Sequence, residues 1–595
     1  MHTQTPLCGI IGYIGEEKAS PLLLNGLRRM EYRGYDSAGM CVLHGDRMYV
    51  KKGAGKVDEI NAKHNFITLE GTVGIAHTRW ATHGQVNETN AHPHLSCNGE
   101  IAVVHNGIIE NHQELRKLLL EEGHRFTSET DTEVIAHLLE RGYRSGFDVR
   151  LSLLETVKML KGAFAIVALF RANPDVIAGA RKDAPLAVGF GKNENFLASD
   201  VLAFVGRTDK VVFLDNYEVV FVRKRGLEFL TFDGTPVVKT PVQVAWEIGD
   251  VTRKEFRHYT IKEIHEQPDT VERAIYQDRD KLESFCKIVR DSAKIYVTAS
   301  GTSYHSGLIA KYLLAKYAKI PCEVTLASEF SSLNGLIDER SVILAISQSG
   351  ETADVLHAIA AAKRSRAKVL SIVNVVGSSL VRESDLGLLM NCGPEIGVAA
   401  TKSFTAQVAL INLIVAKLSN GNLVESHLKS IVLRVQQVLR NEEHIIEISK
   451  QYSENPDFYF VGRGIHYPVS LEGALKLKEL SYIHAEGMAA GELKHGTLAL
   501  IDRGTPVVVI NPEDDTYDDT LTNAAEMKAR GAKIIGISTK ISDIYDEFVR
   551  IPEGHESTYP ILEVIPLQML AYYITVERQQ NPDYPRNLAK SVTVK

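Results

Sequence analysis

The chain has 595 residues, of which 44% are hydrophobic and 24% charged, and a net charge of −7 at neutral pH. That balance excludes general disorder and a broadly basic nucleic-acid surface, and the length calls for about three to five domains. Six cysteines (Cys8, Cys41, Cys97, Cys286, Cys322 and Cys392) are scattered without a CxxC pair, so neither a zinc site nor a disulfide framework is expected.

The N-terminal stretch MHTQTPLCGIIGYIG has no basic segment and no long apolar run, so no signal peptide is read there. Up to about Thr240, short β-rich runs such as GIIGYIG, GTVGIAHTRW, GEIAVVHNG and GAFAIVALF alternate with glycine turns. Helices are expected over 111–122 and 131–144. This pattern predicts an α+β domain over 8–240 with a mostly antiparallel sheet. Residues 241–280 read as a linker and a leading helix. No run such as GAFAIVALF is long enough to cross a bilayer, and a cytoplasmic protein without membrane or nucleic-acid partners is expected.

From about Lys281 the texture changes. Short apolar strands alternate with helices of a dozen residues or more, the pattern of a doubly wound parallel sheet. Tyr296, Gly301 and Tyr304 recur 163 positions later as Tyr459, Gly464 and Tyr467. Thr352 and Thr516 open a second pair of aligned segments. The second half therefore reads as two copies of one α/β domain, 281–435 and 450–584, followed by a tail over 585–595.

Three groups of residues carry chemistry. In the first, Cys8 precedes a short apolar strand; alone it would read as a buried structural cysteine. AHTRWATHG supplies Arg79, Thr82 and His83, VVHNG supplies Asn106 and Gly107, and SETDTEV sets Asp131 near a helix start. An arginine suits a carboxylate and an aspartate an ammonium, so the set fits an α-amino acid. Asn106 and the Gly107 N–H suit an oxyanion. The turn-rich EYRGYDSAGM aims polar groups at something nearby.

In the second, ASGTSYHSG and ISQSGETADV each follow a strand and precede a helix. Small and hydroxyl residues at helix N-termini can cradle an anion, although each loop alone is equally an ordinary turn. Neither loop fits GxGxxG or a Walker pattern, so NAD and ATP are rejected. In the third, Ser470 reads as an N-cap, with Leu471, Ala474 and Leu475 forming a buried stripe. Glu472, Lys476 and Glu479 share one helix face, which on its own could be a solvated, salt-bridged face.

CGIIGYIG, EYRGYDSAG, HTRWATHG, HNGIIENH and SETDTEV together resemble the class II glutamine amidotransferases, which are N-terminal nucleophile hydrolases. The two later domains resemble the sugar-isomerase (SIS) domains. Over nearly the whole chain from Cys8, the combination resembles the bacterial isomerising glutamine–fructose-6-phosphate aminotransferases. The resemblance implies that L-glutamine and D-fructose 6-phosphate become L-glutamate and D-glucosamine 6-phosphate, the first step of hexosamine biosynthesis, with no metal or redox cofactor. It implies a glutamine nucleophile at Cys8 with its own α-amine as base, and a channel gate at Trp80. Arg33 in EYRGYDSAG is expected to be a structural support.

For the sugar site, the resemblance implies phosphate binding by Ser303, Ser347, Gln348, Ser349 and Thr352, with Thr302 nearby. It places Val398 and Ala589 beside the sugar. Glu479 matches the isomerising base, with Glu472 and Lys476 in support. His495 matches a ring-opening histidine supplied by a neighbouring subunit, so a homodimer is expected. Lys590, in LAKSVTV, matches a Schiff-base lysine.

Two departures stand out. MHTQTPL precedes Cys8, which denies it a free amine; a cleaved leader or a mis-set start is expected ahead of an inactive glutaminase. Thr497 stands where the family pattern has proline. Two rivals remain: a deglycase built from the same domains, and a non-catalytic phosphosugar-binding regulator, against which the lack of a basic helix-turn-helix speaks.

Overall fold

A computed structural model describes residues 8–80, 83–244, 246, 252–423 and 425–591. The strand Gly9–Ile14 is buried along its whole length. It pairs antiparallel with Val73–Arg79 on one side and Asn195–Ala198 on the other, inside an eight-stranded sheet. A second sheet of six strands contains Ile101–Ile109. Ile10, Ile14 and Ile75 of the first sheet meet Ala102, Val104 and Val167 of the second in a shared core. The helix Ala19–Met30 covers the outer face of the first sheet through Leu23 and Leu27. Glu133–Arg144 and Val149–Met159 cover that of the second. Four layers result, helix, sheet, sheet and helix; the pairing is antiparallel, as expected, but in two facing sheets rather than one. The helices His112–Glu121 and Glu133–Arg144 lie within two residues of their expected bounds. This packing sets Cys8 at the entrance of a central strand of one sheet, and Asn106 and Gly107 on a strand of the facing sheet.

The second half holds two five-stranded parallel sheets of identical order. In the first copy the order is Glu323–Leu326, Lys294–Ala299, Ser341–Ser347, Lys368–Val373 and Leu386–Leu389. In the second it is His484–Ala489, Asp457–Gly462, Pro506–Ile510, Lys533–Ser538 and Glu547–Arg550. Each places its second strand outside its first, so the order reverses between the first and third strands. Ligands of open α/β sheets bind at such a switch point. In the first copy it is formed by the loops after Ala299 and Ser347, the two loops the sequence picks out.

The two copies share one apolar core. Its centre is the helix Tyr559–Glu577, long and apolar enough to cross a membrane by length and composition, but 89% of its most apolar 18 residues are buried inside the protein. The segment read as linker and leading helix forms the helices Tyr259–His265 and Gln267–Ile275, and Ile261, Ile264, Val271 and Ala274 enter the same core.

Two details of the second copy correct the sequence reading. Its first helix runs His466–Ser481, so Ser470 is no N-cap; its hydroxyl donates to the carbonyls of Tyr467 and Met488. Pro468 in the first turn marks the earlier start, since proline there removes no helical hydrogen bond. Leu471 and Leu475 are only half-buried, whereas Glu472 and Lys476 are wholly buried. The charged face is the inner one, because it packs against the first copy.

Candidate active site

Around Cys8 the backbone closes tightly. Trp80 N–H donates to Cys8 Sγ at 3.3 Å, and Asn106 Nδ2 donates to the Cys8 carbonyl at 2.7 Å. His77 Nε2 lies 3.1 Å from Asn106 Oδ1, which fixes the amide with its nitrogen toward Cys8. Burial pushes the Cys8 thiol up to about 11, so it is protonated at neutral pH and needs a base to become a nucleophile. Gly107 has φ +118°, and a Cβ there would lie 2.0 Å from the Ala163 carbonyl oxygen, so only glycine fits.

Arg79 is buried, donates to the His83 carbonyl, and has its Nη1 unpartnered among the described residues. Asp131 accepts from the Ile109 N–H at 2.8 Å. One guanidinium nitrogen and one carboxylate thus flank the thiol, as an amino-acid zwitterion requires. Thr82 lies outside the described residues.

The loop EYRGYDSAGM joins this site to the second half. Arg33 is buried and ion-paired to Asp200, a supporting position. A Cβ on Gly34 would lie 2.8 Å from the Trp80 nitrogen, so the loop packs directly on the chain that covers Cys8. Tyr35 stacks edge-on against Trp80 at 5.1 Å and donates its hydroxyl to the Pro585 carbonyl in the C-terminal tail. A cavity runs from Tyr32 and Arg33 past Gln348 and Ser349 to Ala589 and Lys590.

At the first copy's switch point, the helices Thr302–Leu313 and Ala353–Arg364 start without a side-chain cap, leaving backbone N–H groups free for an anion. Ser347 Oγ accepts from Gly350 N–H at 3.0 Å and lies 3.5 Å from Thr352 Oγ1. Ser349 Oγ lies 2.9 Å from Ser591 Oγ of the tail. Ser303 Oγ accepts from Gln407 Nε2 at 2.9 Å.

The second copy's helix reaches across to these loops. Thr302 Oγ1 donates to Glu472 Oε1 at 2.9 Å, and Lys476 Nζ donates to Thr302 Oγ1 at 3.2 Å and Glu479 Oε2 at 2.6 Å. His305 Nδ1 lies 2.7 Å from Glu472 Oε2. In the tail, Lys590 Nζ lies 2.5 Å from Glu395 Oε2 and donates to the Gly397 carbonyl at 2.8 Å. Burial opposes ionisation of Glu395, but Lys590 and the Thr401 and Ser403 N–H groups pull it down to about 2. Val398 N–H is already bonded to the Asp583 carbonyl at 3.1 Å, leaving only its carbonyl for a ligand.

His495 is not part of this group. It is exposed at the end of the turn Ala490–His495, and no described residue of the constellation contacts it. Sequence reasoning missed the partners His305, Glu395, Gln407 and Ser591. His305 and Ser591 lie in motifs already noted, ASGTSYHSG and LAKSVTV, and Glu395 and Gln407 lie on either side of Val398, but their pairings span 101 to 242 positions, beyond any local pattern.

The second copy's switch point is lined by different residues. Its loop after Ile510 reads NPEDDT, and His466, at the position matching Ser303, bridges Asp514 (2.9 Å) and Glu563 (2.7 Å). Acidic groups thus stand at the second copy's switch point, where the first copy has serine and threonine hydroxyls.

A glutamine amidotransferase domain family matches residues 77–205, and the SIS domain family matches 288–417 and 427–578. The C-terminal domain of a glucosamine-fructose-6-phosphate aminotransferase from Francisella tularensis superimposes with a TM-score of 0.52 at 37% identity, covering 56% of this chain and all of that one. The curated glutamine–fructose-6-phosphate aminotransferases (isomerizing) of Pyrococcus horikoshii and Caldanaerobacter subterraneus are 46% and 44% identical, over 99% of this chain and the whole of each relative. With this likeness running end to end through both the amidotransferase and sugar-isomerase halves, the chain belongs to the isomerising glutamine–fructose-6-phosphate aminotransferase family.

Proposed function

We propose that the chain converts D-fructose 6-phosphate and L-glutamine to D-glucosamine 6-phosphate and L-glutamate. In the first domain Cys8 Sγ attacks the glutamine side-chain amide, a thioester forms and ammonia leaves. Water then releases glutamate and restores the thiol. The Cys8 α-amine is the base, so this half requires removal of residues 1–7. Asn106 Nδ2 and the Gly107 N–H hold the oxyanion. Arg79 holds the glutamine carboxylate and Asp131 its ammonium, with Thr82 and His83 beside them.

Ammonia passes a gate at Trp80 to the sugar site. Ser303, Ser347, Gln348, Ser349 and Thr352 hold the phosphate, with Thr302 adjacent and Val398 and Ala589 along the sugar. His495 of the partner subunit opens the ring, which makes the working form a homodimer. Lys590 condenses with the C2 carbonyl and releases water; ammonia then displaces the lysine. Glu479, held by Lys476 and backed by Glu472, takes a proton from C1 of the C2 imine as its nitrogen gains one; the enolamine then gains a proton at C2 and loses the O1–H proton, giving the 2-amino aldose. A cytoplasmic location suits six cysteines that are all unpaired.

The observation that carries the sugar half is the group of buried Thr302, Glu472 and Lys476 with half-buried Glu479, in which the second copy's charges converge on the first copy's loop after Ala299. The test combines intact-mass spectrometry with a glucosamine 6-phosphate assay using glutamine or ammonium as donor. A mass beginning at Cys8 with glutamine-driven synthesis supports the whole scheme. Retention of MHTQTPL with synthesis from ammonium alone supports the sugar half and marks the glutaminase as blocked. No product from either donor overturns the reading.

A further inference from the structure

At the helix Glu133–Arg144, which follows Asp131, four side chains converge that the proposed reaction does not use. Cys97 Sγ lies 3.8 Å from His124 Nδ1 and 3.6 Å from His137 Nδ1. Glu140 Oε2 lies 2.9 Å from His124 Nδ1 and 3.6 Å from His137 Nδ1. All four donor atoms fall within 4.8 Å of one another. Zinc bonds of about 2.0–2.3 Å in a tetrahedron set donor separations of roughly 3.3–3.6 Å, so small side-chain movements close the set around an ion. We propose that Cys97, His124, His137 and Glu140 form a structural zinc site that pins the glutaminase pocket.

The chemistry of the donors selects the metal. One thiolate, two neutral imidazoles and one carboxylate balance the double positive charge and suit zinc over the hard cations. On binding, the Cys97 thiol proton leaves and each imidazole carries its proton on Nε2. The surroundings are prepared for this. His137 Nε2 faces the Glu133 carboxylate at 3.5 Å, and that carboxylate is held by the Thr127 and Ser128 N–H groups. A carboxylate behind a ligand imidazole is the usual outer support of a zinc site. The Arg125 N–H points at Cys97 Sγ at 3.2 Å and can stabilise a thiolate. His124, His137 and Glu140 are buried while Cys97 is exposed, which gives the ion an entry path.

The site joins three separate segments. Cys97 lies in the hairpin turn between His94–Leu95 and Ile101–Ile109, the strand that carries Asn106. His124 follows the helix His112–Glu121, and His137 and Glu140 lie one turn apart on the helix after Asp131. The ion thus ties the oxyanion strand to the segment that positions Asp131. The donors are spaced 27, 13 and 3 residues apart, so no CxxC pattern announces them.

The test uses the full chain purified without metal-affinity resin. Elemental analysis is expected to find about one zinc per chain after dialysis. Cobalt added to the metal-free chain is expected to give the intense visible bands of a four-coordinate ion and a near-ultraviolet thiolate charge-transfer band. Cys97→Ser should lose that band and the zinc while keeping the parent's circular-dichroism spectrum, which reports intact folding of the domain that carries it. Glu133→Gln should weaken zinc affinity about 10–100-fold. A chain that retains no zinc and gives only the weak absorption of hydrated cobalt overturns the proposal. So does a zinc content and cobalt spectrum unchanged in Cys97→Ser.

Discussion

Lys590 and Glu395 form an ion pair of 2.5 Å in which both side chains are almost wholly buried. The pair ties the C-terminal tail to the first sugar-isomerase copy and fixes the proposed Schiff-base nitrogen beside Glu395. Charge and nucleophilicity are separable here. Lys590→Arg keeps the cation beside Glu395 but has no amine to condense. It should leave thermal stability within a few degrees of the parent while cutting synthesis from ammonium at least ~100-fold. Lys590→Ala should lose both, because an unpaired buried carboxylate costs about 3–5 kcal/mol. Melting curves beside product assays distinguish the two, and an active Lys590→Arg enzyme removes the Schiff-base role.

The buried face of the helix His466–Ser481 makes a second prediction. Lys476 is the cation that the buried Glu472 and the half-buried Glu479 share, and around Lys476 and Glu472 burial excludes water from compensating. Lys476→Met preserves most of its volume but leaves buried negative charge. It should destabilise the sugar half by about 3–5 kcal/mol and abolish synthesis from either donor. Glutamine hydrolysis, housed in the other half, should be far less affected. Urea unfolding followed by both assays checks this; an unaltered midpoint would mean that the face is solvated after all.

That face also shows where local sequence pattern stops being informative. Spacing places Glu472, Lys476 and Glu479 on one side of a helix, and they are there. It cannot say whether that side meets water, because the answer lies in Thr302 and His305, some 170 positions earlier. The strand–loop–helix rhythm likewise marks both copies, whose sheets share one order. The difference between them is legible only once Ser303 and His466 are known to occupy equivalent places. The helix start was readable from Pro468, but the serine at 470 offered a more familiar signal. Lys590 was placed by resemblance, whereas Glu395, its partner, needed the fold.

In the glutaminase half, Asn106 is held with its amide nitrogen toward Cys8 by His77. If that nitrogen stabilises the oxyanion, Asn106→Ala should lower the rate of glutamine hydrolysis about 10²–10³-fold. Synthesis from ammonium should be unchanged, since it bypasses the thioester. Comparing kcat for the two donors in a chain that begins at Cys8 checks this. An equal loss with both donors would instead indicate a folding defect.

The charge cluster in the second copy gives the pH prediction. Burial alone would lower the pKa of His466, but the carboxylates of Glu563 and Asp514 outweigh it and raise the pKa to about 10. In the unfolded chain histidine titrates near ~6.5. A raised folded-state value means that the folded chain holds the proton more tightly, so the stabilisation is fully present below about pH 6.5 and is lost as pH rises through about 10. His466→Gln cannot be charged and leaves both acids without their cation. It should be less stable than the parent by about 3–5 kcal/mol at neutral pH. The gap should narrow steadily as pH approaches 10, because only the parent loses its imidazolium there. Urea midpoints of the two proteins across pH 6–10 measure that gap, and a gap independent of pH would show that His466 is neutral in the fold and that its two carboxylates are held by something else.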